Sequence, residues 1–156
     1  MKTFFQEAFT LKHVDRAGWK RVGIKEPESV AAHSWGLALL CIELAPKELD
    51  MERVLSLALI HDLPEVRVGD ITPHDGIPKA EKQKLELEAA QKLLPPKFYV
   101  LWLEYEKNQT PEAQFVHQID KLEMLIQAEN YAKNVDTSEF IASAKKKLGN
   151  NFPKFC

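Results

Sequence analysis

Almost every long segment of the chain repeats its apolar residues at the three-and-four spacing of a helix. No run sustains apolar/polar alternation between hairpin turns, so the pattern predicts an all-α fold. Val30, Leu37, Leu40, Cys41 and Leu44 mark one face of a helix that Pro27 is placed to open at its first position and Pro46 stops. Asp50 predicts the N-cap of the next helix, whose inward positions are Val54, Leu55, Leu57 and Ala58 and which should run to Leu63 before Pro64 breaks it. The text GDITPHDGIPK over 69–79 is rich in turn formers and reads as a loop beside the end of that helix. A charged amphipathic helix over 80–93 follows, and Pro95-Pro96 separates it from the segment around Trp102. Thr110-Pro111-Glu112 is a strong start signal for a helix over 111–134. Thr137 or Ser138 caps a last helix that ends near Gly149. No repeat, low-complexity tract or linker interrupts the pattern, so one compact helical domain is expected over 1–156.

Length and composition narrow the classes without naming one. A chain of 156 residues matches one ordinary domain. With 45% hydrophobic and 28% charged residues it belongs with globular proteins and not with disordered or collagen-like chains. Lys plus Arg is 21 against 23 for Asp plus Glu, a net charge of −2, so no global field draws the chain to nucleic acid or to anionic lipid. Any anionic small molecule must be caught locally. The run Lys145-Lys146-Lys147 reads as a solvated helix face. Two cysteines, Cys41 and Cys156, form neither a disulfide framework nor a CxxC motif, which suits a reducing compartment. No secretory h-region and no window of about 20 apolar residues is present, so a cytoplasmic protein without a membrane span is expected.

The polar residues that break the apolar stripes carry the candidate chemistry. His33 lies three after Val30 and four before Leu37, on the buried stripe, where an imidazole is either a satisfied core histidine or a metal ligand. His61 and Asp62 fall four after Leu57 and Ala58, so both should face the core, either as a structural hydrogen-bonded pair or as ligands. An ionised carboxylate removed from water must be paired or metal-bound. Asp120 sits between Phe115, Val116, Ile119, Leu122 and Met124; alone, it reads equally as a helix charge paired with Lys121 or Lys12. Taken together, two imidazoles and two carboxylates at inward positions of three helices make an N2O2 set. That set suits Mn, Fe, Co, Ni or Zn better than Ca, with positions left for water and substrate.

ESVAAHSWG, ALIHDLPEVRVGDITP and QIDKLEMLIQAENY resemble the three signature segments of HD-domain hydrolases, in particular their 5′-deoxynucleotidase branch. The similarity runs through nearly the whole chain, from LKHVDRAGW to the helix around Asp120. It implies a helical HD-domain bundle with one divalent transition metal ion on His33, His61, Asp62 and Asp120. It implies a catalytic acid at Glu65 and a second active-site acid at Asp70 that helps place the attacking water. Arg16 of DRAGW matches a basic residue that approaches substrate, and Trp19 fills the aromatic place in that segment. By their own surroundings Glu65 could be an exposed helix acid, Asp70 a turn former after Gly69, Arg16 a surface ion pair and Trp19 core packing. Thr72 and Lys79 flank the loop near any phosphate; His13, His74 and His117 carry no assignment. Ala17-Gly18 separates Arg16 from Trp19, whereas in some related enzymes an aromatic directly follows the arginine and crowds the sugar 2′ position.

What the resemblance implies is hydrolysis of a nucleoside 5′-monophosphate, with Glu65 as general acid or base and Arg16 neutralising phosphate charge. Two other readings stand beside it. One is a phosphodiesterase or triphosphohydrolase acting on another nucleotide; the other is a non-catalytic binding module in which the metal is a staple. The family resemblance also implies a homodimer, for which the Trp102 and Tyr105 segment is expected to offer exposed aromatic surface.

Overall fold

The computed structural model describes residues 2–149. Its α-helices are α1 (Lys2–Ala8), α2 (Ala17–Arg21), α3 (Val30–Leu44), α4 (Met51–Ile60), α5 (Glu65–Val68), α6 (Lys79–Leu93), α7 (Pro96–Lys107), α8 (Pro111–Tyr131) and α9 (Ser138–Leu148). Short 3-10 turns occupy Phe9–His13 and Pro73–Asp75. The only extended pairing among the described residues is an isolated antiparallel bridge between Asp15 and Ser29. The all-α expectation therefore holds. Cys156 lies outside the described residues.

Local chemistry explains most helix boundaries. Asp50 Oδ1 accepts from the Arg53 amide at 3.2 Å, and Thr110 Oγ1 accepts from the Ala113 amide at 3.2 Å with Pro111 in the first turn, as the sequence predicts. Two N-terminal caps differ. Pro27 does not open α3; Ser29 does, its hydroxyl accepting from the Ala32 amide at 3.1 Å. The segment around Pro27 is held extended, because the Arg16 amide donates to Glu28 O and the Val30 amide to Val14 O. Thr137 precedes α9 but its hydroxyl donates to Ala128 O at 2.8 Å, so the cap is made by Asp136 Oδ1, which accepts from the Ser138 amide at 3.0 Å. A distant carbonyl outcompetes the local one there.

The turn that matters most lies at the end of α4. Pro64 has no amide hydrogen and its ring would collide with the carbonyl four residues back, so α4 stops at Ile60, three residues earlier than expected. Tight turns through Leu63 N to Ile60 O and Glu65 N to Asp62 O, both 3.0 Å, carry the chain into α5. Gly69 follows with φ of 75°, a backbone conformation that side chains resist, and sends the chain into the loop before α6.

The core forms where α3, α4 and α8 converge, around Leu37, Cys41, Leu57, Ala58, Val116 and Ile119. A second apolar cluster around Ile60, Ala90, Leu93 and Trp102 seats α6 and α7 against α4. Trp102 is 3% exposed and Tyr105 is buried as well, so the aromatic surface expected there for a partner does not exist; burying two rings of this size against α4 is worth more than displaying them. The outward apolar stripe is instead on α3. Trp35, 67% exposed, shares the helix surface with Leu39 and Ile42. No helix among the described residues is long and apolar enough to cross a membrane.

Candidate metal centre and its cleft

The centre sits where three helices meet. α3 supplies His33, the turn after α4 supplies His61 and Asp62, and α8 supplies Asp120. His33 is completely buried, and its Nε2 lies 3.1 Å from Asp120 Oδ1 and 3.9 Å from Asp62 Oδ2. His61 Nε2 lies 3.0 Å from Asp62 Oδ2. Ligand atoms of His33, His61 and Asp62 all fall within 4.8 Å of one another.

The other ring nitrogens show what those Nε2 atoms are. His61 Nδ1 is 2.9 Å from Ala58 O, a carbonyl that can only accept, so Nδ1 carries the proton and Nε2 is a lone pair. His33 Nδ1 is 2.5 Å from Glu123 Oε2 and is held the same way. The Nε2 atoms of both rings are buried without a hydrogen-bond partner, as is Glu65 Oε2. With those protons on Nδ1, both Nε2 atoms can offer lone pairs toward the carboxylates, an arrangement that needs positive charge among them, either a cation or a second proton on His33. The donor set, two imidazole nitrogens and two carboxylates with room for further ligands, fits a divalent transition metal.

Each remaining predicted site residue is close by. Glu65 opens α5 and is 5% exposed; burial first, then the charges of Asp62 and Asp70, hold its carboxyl well above the usual carboxylate range. It is not an exposed helix acid. Asp70 Oδ2 accepts from the Ala17 amide at 2.8 Å and Oδ1 faces Arg16 Nη1 at 3.9 Å, so one carboxylate ties the DRAGW segment to the loop after α5. Trp19, 2% exposed, donates from Nε1 to Glu28 Oε1 at 2.9 Å and packs against Tyr131 and Phe140.

A cleft of about 360 Å³ opens beside these groups, lined by Arg16, Trp19, Asp70, Thr72, Lys82, Lys121, Phe140 and Lys147 among others. Several of these were invisible to spacing arguments. Lys147, in the run read as a solvated face, stands on the cleft wall because α9 packs along α8. Lys82 donates to Ile71 O at 2.8 Å and fixes the loop over 69–79. Lys121 pairs with Asp120 Oδ2 at 2.6 Å, the ion pair foreseen for Asp120 alone, so Asp120 engages both Lys121 and His33. Lys79 does not line the cleft, while His74 does. His117 stacks on Tyr105 and bonds its carbonyl. The residue most plainly missed is Glu123, buried and one turn after Asp120 on the same inward face of α8.

Compared with known proteins, the chain matches the HD domain family over residues 8–155. It belongs to that family. It is 38% identical to the 5′-deoxynucleotidase HDDC2 of Danio rerio, over 95% of this chain and 80% of that protein. It is 42% identical to the 5′-deoxynucleotidase HDDC2 of Homo sapiens, over 78% of this chain and 63% of that one. A crystal structure of a protein from Pyrococcus horikoshii OT3 superposes with a TM-score of 0.85 at 35% identity, covering 95% of this chain and 88% of the other.

The electrostatics of this HD site yield a measurable titration. Burial and then Arg16 work against charge on His33, but the carboxylates of Asp120 and Glu123 outweigh them, and its pKa is pushed up to about 10. In chelator-treated protein His33 therefore keeps its proton at neutral pH. A histidine whose pKa is raised on folding adds stability that is complete below its unfolded value of about 6.5 and lost as pH rises toward 10. Urea unfolding of the metal-free protein should weaken over that window, with a His33 ring titration near 10 by NMR. A ring that titrates at the ordinary histidine value would contradict the geometry.

Proposed function

We propose that this HD-domain protein is a metal-dependent phosphohydrolase that converts nucleoside 5′-monophosphates to nucleoside and phosphate. The observation that carries the reading is the pair of buried, unpartnered imidazole lone pairs aimed at Asp62 and Asp120 beside a cleft with cationic walls. Relatives called 5′-deoxynucleotidases at 38% and 42% identity support the substrate class. A divalent ion on His33, His61, Asp62 and Asp120, drawn from Mn, Fe, Co, Ni or Zn, supplies Lewis acidity toward a phosphoryl oxygen and acidifies nearby water.

The chain's own groups do the rest. Phosphate brings about two negative charges into a site already holding Asp62, Glu65, Asp70 and Asp120, so binding requires local cations. Arg16 offers a forked donor for two phosphate oxygens, and the Asp70 carboxylate faces its guanidinium at 3.9 Å. Lys82, Lys121 and Lys147 add charge around the rim. Water oxygen forms the new bond to phosphorus, the bond to the 5′ oxygen breaks, and that oxygen needs a proton. Glu65, its carboxyl pushed well above the usual carboxylate range by burial and by Asp62 and Asp70, is suited to deliver one from its unpartnered Oε2, and the proton lost by the attacking water restores it. Asp70 orients the incoming water, and Trp19 backs the cleft behind Arg16. The protein works in the cytoplasm, where Cys41 remains a buried free thiol. It pairs with a second copy through the exposed stripe Trp35, Leu39 and Ile42 on α3.

Three measurements test this reading. Asp120→Ala should lose stoichiometric metal by elemental analysis; equal metal in variant and wild type would remove Asp120 from the ligand set. Glu65→Gln should keep metal and fold but lose roughly two orders of magnitude or more in kcat for phosphate release from a deoxynucleoside monophosphate. A near wild-type rate would return Glu65 to a structural role. Sedimentation should give a dimer that Trp35→Asp converts to a monomer with metal retained, and a monomeric wild type would exclude the pairing.

A further inference from the structure

His33 and His61 present the same nitrogen to the centre, but they are held by different partners. His61 Nδ1 donates to a backbone carbonyl, Ala58 O, at 2.9 Å. His33 Nδ1 meets a buried carboxylate, Glu123 Oε2, at 2.5 Å. A carboxylate behind an imidazole fixes which nitrogen carries the proton, locks the ring orientation and makes the opposite nitrogen a stronger donor to a cation. The protein keeps space for this carboxylate. A Cβ added to Gly36, one turn after His33 on α3, would stand 2.9 Å from Glu123 Oε1. Glycine inside a helix is costly relative to alanine, so its presence opposite Glu123 is matched to the close approach of α8.

A second carboxylate lies beside it and raises its charge density. Glu28, His33 and Glu123 offer side-chain atoms within 4.8 Å of one another. Glu28 Oε1 accepts from Trp19 Nε1 at 2.9 Å, and its amide donates to the Tyr131 hydroxyl at 3.0 Å. Glu123 thus lies between α3 and a layer that includes Glu28, Trp19 and Tyr131, on the Nδ1 side of His33, opposite the ring nitrogen that faces Asp62 and Asp120.

We propose that Glu123 is the positioning residue of the metal centre, holding His33 with Nε2 toward the ion and setting the affinity of the site, in space that Gly36 leaves open. The inference rests on the reading of His33 as a ligand. Glu123 does not touch substrate, so its effect is on metal binding and reaches turnover only through it.

The test is a Co2+ titration of chelator-treated protein, read by visible absorption and by chelator competition, with metal-free thermal unfolding measured in parallel. Glu123→Gln preserves shape and a hydrogen-bond acceptor but removes the charge. It should still bind one ion, with Kd weakened roughly 10-fold or more and an altered cobalt spectrum. Gly36→Ala, which changes no polar group, should shift Kd and spectrum in the same direction, and the double variant should be no weaker than Glu123→Gln. A metal-induced rise in Tm that shrinks in both variants, each measured from its own metal-free Tm, supports positioning. Wild-type Kd and spectrum in both single variants, with Asp120→Ala losing the ion, overturn the proposal. A stoichiometry falling from two ions to one in Glu123→Gln also overturns it, because Glu123 would then be a ligand with Glu28. Asp120→Ala retaining full affinity is a separate failure, that of the ligand reading itself.

Discussion

Two imidazole lone pairs and two carboxylates share one buried point, and that arrangement is unstable without positive charge among them. Charges separated by 3 to 4 Å inside a protein interact by several kcal/mol even at a generous effective dielectric, more than any single surface ion pair contributes. His33 reaches Asp120 at 3.1 Å and His61 reaches Asp62 at 3.0 Å, so a cation placed there relieves both contacts together. A proton on His33 relieves only one. A metal ion bound there would displace that proton, which would link metal binding to proton release.

The helices can be understood as the means of holding that point rigid. α8 carries Asp120 and Glu123 inward one turn apart, with Lys121 between them turned toward the cleft. α3 contributes His33 and then Gly36, whose missing side chain lets α8 come close. Pro64 ends α4 early, so His61 and Asp62 sit in a tight turn and are not spread along a helix, and Glu65 begins the next element facing the same space. α9 is secured to α8 by the buried hydroxyl of Thr137, which brings Phe140 and Lys147 to the opposite wall. Acidic centre and cationic rim are therefore products of one packing arrangement.

Patterning made some of this legible in advance. Asp50 and Thr110 cap the helices they were expected to cap, because N-cap chemistry is local and depends on a few consecutive residues. His33, His61, Asp62 and Asp120 stood out as polar residues on apolar stripes, and all four come together. Pro27 and Thr137 misled for a common reason. Their backbones and hydroxyls are engaged by partners far along the chain, Val14 and Arg16 near Pro27 and Ala128 for Thr137, which no local rule contains. Trp102 and Tyr105 looked available for a partner but fill the interior, since aromatic content alone does not say which face of a helix is covered.

The sequence by itself determined the helical class, the main breaks at Pro46, Pro64 and Pro95, and the identity of the metal-binding candidates, because periodicity and side-chain chemistry are properties of neighbouring residues. Only the tertiary structure decided that Glu123 stands behind His33, that Gly36 makes room for it, that Asp70 faces Arg16, and that Lys147 faces the cleft. Each of these depends on the distance between segments remote in the chain, and such distances are set by how the helices pack.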